Sequence, residues 1–349
     1  MRLPPRWLRR LLIDPAVVLA VVVALVSLPV VVIAAAFLSR YVPGRWRIPR
    51  IVWFLFLYLL VEAASLVVMF VFWIASGFGW KLKEPIWEDA HYRLFGWMLR
   101  RVVASAKFTF KISFLREGGA PRTVGSGGRR PILVLSRHAG PGDSMMLMDG
   151  LCNAFDRRPR IVLKEFMQWD PAIDVILNRL PSAFVPVAGK AGVPVLDAIR
   201  EIAGSMDDDD AFVIFPEGAN YTERRFKRAV EKLHDIGRPD LVERARELQN
   251  TLPPRSTGVK TALASAPEPH DVFFVGHAGL ETFVSWGDIW RGMPMDTEVA
   301  VKLWHYPNEL VPAPDEQEAW LYDVWGEIDE WIGLRMAETG EPFDDPEFY

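Results

Sequence analysis

The sequence predicts an α/β domain, built on a mixed sheet covered by helices, behind an N-terminal membrane helical hairpin. Two long apolar runs fill most of the first eighty residues, and the acidic residues behind the net charge of −4 lie mainly in the last two thirds of the chain. Five short apolar runs then alternate with helical stretches, as buried strands do in a sheet with helices on both faces. We expect a membrane-embedded hairpin at 1–80, an interfacial helix, strand and linker at 81–128, and the α/β domain at 129–349.

The hairpin prediction depends on the length of the two apolar runs. Residues 15–38 carry no charge, and as a helix they would span about 36 Å, enough to cross a hydrocarbon core of roughly 30 Å. Residues 51–80 form a second run that contains one acid, Glu62, and ends in the aromatic Trp80. A cleaved signal peptide has a shorter core and no second run behind it, so we favour two membrane helices.

Basic residues set the expected orientation of the hairpin. Four arginines precede the first run and four lie between the runs, so these counts balance. The cations after the second run favour both ends in the cytoplasm, which puts the α/β domain on the cytoplasmic side of an inner or cytoplasmic membrane. A re-entrant hairpin, which enters the bilayer without crossing it, stays open as the alternative.

The segment after the hairpin is predicted to contain a helix, a strand and a loop. Residues 87–103 mix aromatic, aliphatic and Arg side chains, which suits a helix lying on anionic lipid or, equally, a helix packed in the core. Phe108, Phe110, Ile112 and Phe114 alternate with polar residues and predict a strand. Residues 117–130, rich in Gly and Arg, predict a loop.

The α/β domain is predicted from short apolar runs bounded by Pro, Gly and charge. Four acids at 207–210 precede one of these runs and predict a solvated turn, because adjacent carboxylates cannot all face one cation. The predicted strands are 132–135, 160–163, 183–187, 211–215 and 272–276.

Composition excludes several classes of protein. The single Cys152 leaves no intrachain disulfide and no metal site built on several thiolates. The 44 acidic side chains outnumber the 40 basic ones, so charge gives no indication of nucleic acid. We expect no nucleic-acid partner.

The first candidate site follows the strand 132–135. His138 and Asp143 flank a Gly-Pro-Gly insert, which prevents a regular helix and puts Asp143 at the start of the next one, where its carboxylate can fold back to the imidazole. An acid bonded to one ring nitrogen leaves the other free to take a proton from an alcohol. A histidine bonded to a capping aspartate for structure alone is the equal alternative.

No protein nucleophile accompanies this pair. The sequence has no Gly-x-Ser-x-Gly elbow, and Cys152 lies in the middle of the expected helix. The attacking hydroxyl would then belong to a substrate, and the group would pass to it directly.

A second candidate site ends the strand 211–215 with Phe215-Pro216-Glu217-Gly218. Because strand ends of this kind meet at one edge of a sheet, we expect the glutamate and the histidine to converge. The alternative is a strand followed by an exposed basic helix.

Cations near these turns are candidate phosphate ligands, since arginine and lysine bind phosphate oxygens. Each is equally a surface cation or a helix cap. The candidates are Lys164 after the strand 160–163, Arg255 within 252–258, and Arg225, with Arg224, Lys227 and Arg228 beside it.

Together these motifs resemble those of the lysophosphatidic acid acyltransferase family of glycerolipid acyltransferases. His138 to Asp143 matches the family's His-x4-Asp motif, and Phe215 to Gly218 matches its Phe-Pro-Glu-Gly motif. The segments 220–223, 252–258 and 304–331 look like the branch that contains lysocardiolipin acyltransferases, and the likeness covers residues 130–335.

The resemblance implies the glycerolipid acyltransferase fold, with His138 as base, Asp143 as its orienting partner and Glu217 in the acceptor site. It implies an acyl-CoA or acyl carrier protein donor, a lysophospholipid acceptor, surrounding membrane lipids, and neither a metal nor an organic cofactor. Two departures bear on the acceptor. Residues 181–187 lack an arginine that the family usually has, Lys190 being the nearest cation, and Ala219 replaces a common threonine.

The predicted function is acyl transfer to the free hydroxyl of a lysophospholipid such as 1-acylglycerol 3-phosphate, in phospholipid biosynthesis or remodelling. One rival is an acyltransferase for another lipid alcohol, such as a glycolipid, which acceptor profiling separates. A non-catalytic lipid-binding membrane protein would bind lipid without consuming a thioester, and a hydrolase would release free fatty acid.

Overall fold

The computed structural model of this chain describes residues 3–44, 46–117, 129–139, 142–186, 192–281 and 286–339. Most of the loop predicted at 117–130, and Lys190, lie outside these residues. The helices are α1 (Arg6–Leu38), α2 (Arg47–Ala75), α3 (Pro85–Phe110), α4 (Asp143–Asn153), α5 (Pro171–Leu177), α6 (Gly192–Gly204), α7 (Glu223–Asp235), α8 (Pro239–Glu247), α9 (Ser256–Ser265), α10 (Trp286–Gly292) and α11 (Gln317–Thr339). The strands are β1 (Ser113–Glu117), β2 (Ile132–Ser136), β3 (Arg158–Lys164), β4 (Ser182–Val185), β5 (Asp210–Ile214), β6 (Asp271–Ala278) and β7 (Glu298–Tyr306).

The chain divides into two compact units, each made of several segments. The first unit comprises Met1–Ile112, Met145–Ala198 and Gly292–Asp296, and the second comprises Ser113–Ser144, Ile199–Arg291 and Thr297–Tyr349. The boundaries predicted at residues 80 and 128 divide the chain by its expected surroundings, membrane or water, rather than by packing. They stay a prediction.

The first unit begins with two long apolar helices. α1 has 33 residues with a mean hydropathy of 3.2, and α2 has 29 residues with a mean hydropathy of 2.5, each over its most apolar window. Both are long and apolar enough to cross a membrane. Apolar side chains of α1 such as Val26, Val30 and Ile33 are exposed, which fits a lipid-facing helix better than a helix of a soluble core.

Polar contacts tie both of these helices to α5. Glu62 of α2 is buried, and its carboxylate accepts a hydrogen bond of 2.7 Å from the backbone N–H of Ala172 in the first turn of α5. Arg9 of α1 forms a buried ion pair of 2.8 Å with Asp174. The only acid of the second apolar run therefore has a structural partner, because it satisfies a free amide at a helix N-terminus.

Helix α3 extends further than the sequence predicts. Phe108 and Phe110 were predicted to begin a strand, and that prediction is wrong: both belong to α3, and β1 begins at Ser113. The Phe110 ring packs 5.0 Å from the ring of Phe54 in α2, so helical packing overrides the local alternation. The helix ends where Lys111 adopts a left-handed conformation with φ 55°.

Burial on α3 favours packing over an interfacial position. His91, Phe95, Leu99 and Val103 are all buried, and they recur at the spacing of one helix face. Trp97 is exposed on the opposite side. Of the two alternatives for this segment, the core-packing helix is the one that this burial supports.

The strands form a mixed sheet, as the sequence predicts. In the first unit β3 and β4 pair in parallel. In the second unit β1, β7, β6, β2 and β5 are neighbours in that order, and the β6–β7 pair is antiparallel while the others are parallel. All five predicted strand runs contain or overlap observed strands, whereas β7 was missed.

The core of the second unit lies between the central strands and α11. Every residue of β2 and β6 is buried. Trp325 of α11 is fully buried, and its ring lies 6.5 Å from that of Phe274 in β6. Burial of strands on both faces explains their continuous apolar runs and gives the turns at their ends a rigid base.

Candidate active site

The turn after β2 carries the first pair of candidate residues. The backbone N–H of Arg137 donates to the carbonyl of Val275 in β6 at 3.0 Å, which extends the sheet pairing by one residue. Asp143 then begins α4. Gly140 and Pro141 lie outside the described residues, and Gly142 has φ 97°, a conformation that favours glycine.

His138 and Asp143 are in direct contact. Nδ1 of His138 lies 2.8 Å from Oδ2 of Asp143. The same oxygen accepts the backbone N–H of Ala139 at 2.9 Å, and Oδ1 accepts the N–H of Ser144 at 2.5 Å. Because two backbone amides hold the carboxylate, it presents a fixed acceptor to Nδ1 and selects the tautomer whose lone pair is on Nε2.

The Nε2 side of His138 is the open side of this pair. The side chain of His138 is 27% exposed, whereas that of Asp143 is 3% exposed. Within the part of the chain that the structure describes, Nε2 makes no hydrogen bond, and the ring packs 5.0 Å from the ring of Phe215. A half-buried imidazole with one free nitrogen is suited to take a proton from a bound alcohol.

The turn after β5 reaches the first turn through Glu217. Its side chain is buried, and Oε2 accepts the backbone N–H of His138 at 3.0 Å. Oε1 accepts the backbone N–H of Leu252 at 3.3 Å. Glu217 therefore joins three chain segments, and the two strand ends converge as the sequence predicts.

Burial also changes the acidity of Glu217. It raises the pKa of this carboxyl to about 7, and the charge of Arg137 and the two backbone hydrogen bonds oppose that rise. The carboxyl thus titrates close to neutral pH, although both of its oxygens are turned toward backbone donors rather than toward solvent.

Arg255 lies directly over this second turn. Its backbone N–H donates to the carbonyl of Pro216 at 3.0 Å. Gly218 has φ 69°, and a Cβ atom built on it would lie 3.1 Å from Cζ of Arg255. Glycine is required here for its backbone conformation, and it also leaves space for the guanidinium. Arg255 is exposed and has no ion pair among the residues that the structure describes.

The segment before Arg255 is fixed by α11. Asp329 accepts the backbone N–H groups of Gln249 and Asn250 at 2.9 and 2.7 Å. Nε1 of Trp325 donates to the carbonyl of Leu252 at 3.1 Å. These bonds hold the approach to Arg255 in one conformation, so its position is set by the core.

The other two predicted cations occupy different surroundings. Arg225 lies in the first turn of α7, is exposed, and donates from Nη1 to the carbonyl of Asn220 at 3.1 Å. Lys164 ends β3 in the first unit and is exposed. The structure thus brings together His138, Asp143, Phe215, Pro216, Glu217, Gly218 and Arg255.

A buried arginine beneath this site was missed by sequence reasoning. Arg137 is 1% exposed, forms an ion pair with Glu281, and donates to the carbonyls of His277 at 2.6 Å and Asn250 at 2.9 Å. Burial alone would raise the pKa of Glu281, but the charge of Arg137 and its hydrogen bond outweigh this and lower it. The sequence contained one signal for this pair, since Arg137 and Glu281 each follow an apolar run.

A second buried histidine lies on the other side of Asp143. Nε2 of His277 is 3.8 Å from Oδ2 of Asp143 and 3.3 Å from the carbonyl of Arg137. Burial lowers the pKa of His277, which keeps its ring neutral near pH 7. The neutral ring of His277 therefore forms no ion pair with Asp143.

The thiol of Cys152 is not activated as a nucleophile. Burial and the nearby charge of Asp149 raise the pKa of Cys152 to about 12, so its thiol stays protonated at neutral pH and is a poor nucleophile. Among the described residues, no group of three His, Cys, Asp or Glu side chains is placed to hold a metal ion.

One protein-family model matches the part of the chain that carries the candidate site. A protein-family model described as Acyltransferase matches residues 116–269, a span that includes both strand-end turns and Arg255. The match supports an acyltransferase domain in this chain.

A solved structure is also similar. It is the crystal structure of the 1-acyl-sn-glycerophosphate (LPA) acyltransferase, PlsC, from Thermotoga maritima, with 14% sequence identity and a TM-score of 0.43 over 82% of this chain and 98% of that chain. No curated protein sequence matches this chain.

Proposed function

We propose that this chain is a membrane-bound O-acyltransferase that moves an acyl group from a thioester to the free hydroxyl of a lysophospholipid such as 1-acylglycerol 3-phosphate. The observation that carries the proposal is the 2.8 Å contact of His138 with Asp143, with the half-buried imidazole beside Phe215. The family match over residues 116–269 supports the same class.

The proposed reaction needs no covalent enzyme intermediate. Nε2 of His138 takes the hydroxyl proton as the alcohol oxygen attacks the thioester carbonyl, and Asp143 stabilises the imidazolium that forms. The carbon–sulfur bond then breaks, and the imidazolium returns its proton to the leaving thiolate. A protonated Cys152 does not compete as a nucleophile in this scheme.

Arg255 is the proposed ligand for the phosphate of the acceptor. Its guanidinium is exposed, lies over Gly218, and has no ion pair within the described residues, so its donors are available to a phosphate oxygen. We propose that Arg225 and Lys164 also bind phosphate. The segments 220–223 and 252–258 support an acceptor like that of the lysocardiolipin acyltransferase branch.

Glu217 is proposed to position the base rather than to touch the acceptor. Both of its oxygens accept backbone N–H groups, one of them from His138 itself. A carboxylate in this position fixes the turn that carries the imidazole, and the reaction requires that turn to hold its geometry.

The donor is proposed to be acyl-CoA or an acyl carrier protein, and the acceptor to be drawn from the bilayer. Two helices long and apolar enough to cross a membrane support this location. A chain anchored there meets a lysophospholipid that need not leave the membrane. We propose that the catalytic residues face the cytoplasm.

The test is acyl transfer by the purified full-length chain, with labelled acyl-CoA and a panel of lysophospholipids and glycolipids. His138→Ala should lower the rate by about 10²–10⁴-fold, because general base catalysis contributes that much. Asp143→Asn should lower kcat and leave the KM for the acceptor within roughly threefold, because it alters the base and not the binding site.

Asp149→Asn is the matched control, since Asp149 lies on the same helix and accepts only a side-chain bond of 2.6 Å from Asn153 among the described residues. It should keep the wild-type rate. A His138→Ala protein that is folded and fully active would refute the proposal, and free fatty acid as the main product would make the chain a hydrolase.

A further inference from the structure

Helix α7 carries a row of cations that its own packing does not explain. Arg224, Arg228 and Lys232 are spaced four residues apart, so they form one ridge along the helix with side chains about 6 Å apart and a length of about 12 Å. All three are exposed, and within the described residues none of their side chains has a hydrogen bond or an ion pair. We call these three residues the α7 ridge.

The ridge works against the stability of its helix. Like charges four residues apart repel each other. Arg224 also lies in the first turn, where the helix dipole disfavours cations, whereas Lys232 lies in the last turn, where the dipole favours them. Thr222 caps the N-terminal end by accepting the N–H of Arg225 at 3.2 Å, so the helix forms despite the charges. Because these cations destabilise their own helix, we infer that they interact with an anion outside the chain.

The opposite side of α7 is apolar but only half-covered. Phe226, Val230 and Leu233 share a face, and no residue of α7 is buried. Ile236, which follows the helix, is 61% exposed. A helix with a basic face, an apolar face and low mean hydropathy is typical of a segment that lies at a lipid–water interface.

The shape of the ridge decides between possible anions. Sites for small ligands are concave and enclose most of the ligand, whereas the α7 ridge is a convex helix surface. An extended anionic surface fits it better than a single nucleotide. The same polypeptide carries two helices suited to cross a bilayer, so a membrane surface is held at high effective concentration near the second unit.

We propose that the α7 ridge binds the anionic headgroups of the bilayer in which the chain is anchored. This inference rests on the membrane location in the proposed function. Each cation near an anionic surface adds to the attraction, and salt weakens it. The cations of the ridge act as point charges near many phosphates. The interaction therefore requires positive charge but not the planar guanidinium of arginine, so lysine can replace arginine.

The test measures amide hydrogen exchange of residues 223–235 in the full-length protein held in lipid nanodiscs. Discs of phosphatidylcholine alone are compared with an equal mixture of phosphatidylcholine and phosphatidylglycerol. Exchange in the wild type should be roughly tenfold slower in the mixed discs, and high salt should remove the difference.

Two double variants separate charge from geometry. Arg224→Lys with Arg228→Lys keeps the charge and should keep the slower exchange. Arg224→Gln with Arg228→Gln removes it, and glutamine is a good helix former, so the helix is expected to persist. Arg246→Gln on α8 removes an exposed cation outside the ridge and should behave as the wild type.

Three results would overturn the proposal. They are equal exchange in both kinds of disc, equal protection in the glutamine variant, and protection by palmitoyl-CoA in phosphatidylcholine discs in the absence of any effect of phosphatidylglycerol. The last result would assign the ridge to the phosphates of the acyl donor. Since exchange is read without turnover, failure of the ridge proposal is distinct from failure of the proposed reaction.

Discussion

Arg137 is the residue on which the geometry of the candidate site depends most. It is almost fully buried, pairs with Glu281, and bonds the carbonyls of two other segments. A buried ion pair that loses one partner leaves an uncompensated charge in a medium of low dielectric constant. The residue next to the proposed base therefore acts mainly through the fold.

We expect Arg137→Met to lower the free energy of unfolding by about 3–5 kcal/mol, because it isolates the Glu281 carboxylate. The double variant Arg137→Met with Glu281→Met should recover a large part of that loss. Thermal and denaturant unfolding in detergent would measure both. A double variant as unstable as the single one would show that the bonds to the carbonyls matter more than the ion pair.

Glu217 predicts a dependence of stability on pH. Burial raises its pKa to about 7 in the folded chain, whereas an unfolded glutamate titrates near its ordinary value of about 4.3. The folded state therefore prefers the protonated form. Its contribution to stability is fully present below the unfolded pKa and is lost as pH rises through about 7.

Between about pH 4.5 and 7, the free energy of unfolding should fall by an amount on the order of 1–3 kcal/mol because of this group. Glu217→Gln should remove this part of the pH dependence, and it should also destabilise the fold, since its amide turns a donor toward a backbone N–H. Melting temperatures of both proteins across this range would measure the difference. Parallel curves for the two proteins would contradict the assignment.

The His138–Asp143 pair was predictable because it is local. Only four residues lie between the two positions, and the sequence of three of them, Gly-Pro-Gly, predicts a turn rather than a helix. The Arg137–Glu281 pair lies 144 residues apart, and only strand order brings it together. No periodicity in the sequence encodes such a pairing, so the polar network beneath the site was not predicted.

At the scale of elements, the α2–α5 contact makes a separate prediction. Glu62→Leu leaves the N–H of Ala172 buried without its acceptor and should cost about 1–3 kcal/mol of stability. Glu62→Gln keeps an acceptor oxygen and should cost less. Unfolding in detergent compares them, and equal stability of the leucine variant and the wild type would mean that this hydrogen bond has no net effect.

Strands that are buried along their whole length give the clearest signal in the sequence. β2 and β6 read as continuous apolar runs, and both were found. β7 has mostly half-buried residues, and Lys302 and His305 interrupt its apolar residues, so it does not form a continuous apolar run. The aromatic residues at 108–110 matched a strand period by chance, because helix contacts decide their conformation.

At the scale of the whole molecule, topology is the open prediction, and the single cysteine makes it testable. In a Cys152→Ala background, Val42→Cys reports the loop between α1 and α2, and Lys83→Cys reports the segment after α2. For a spanning hairpin with both ends in the cytoplasm, an impermeant thiol reagent added outside intact cells should label position 42 only. Labelling of neither position would indicate a re-entrant hairpin.

Oε1 of Glu217 accepts a hydrogen bond from the main chain of Leu252 rather than from a side chain. Every residue type except proline has a backbone N–H, so this hydrogen bond does not depend on which side chains the following segment carries. The proposed phosphate ligand Arg255 and Thr257 are both exposed there, so these two positions are the ones to randomise in a test of the proposed acceptor preference. A library at these two codons would vary the exposed side chains, while the hydrogen bond of Glu217 holds the main chain of Leu252 in place.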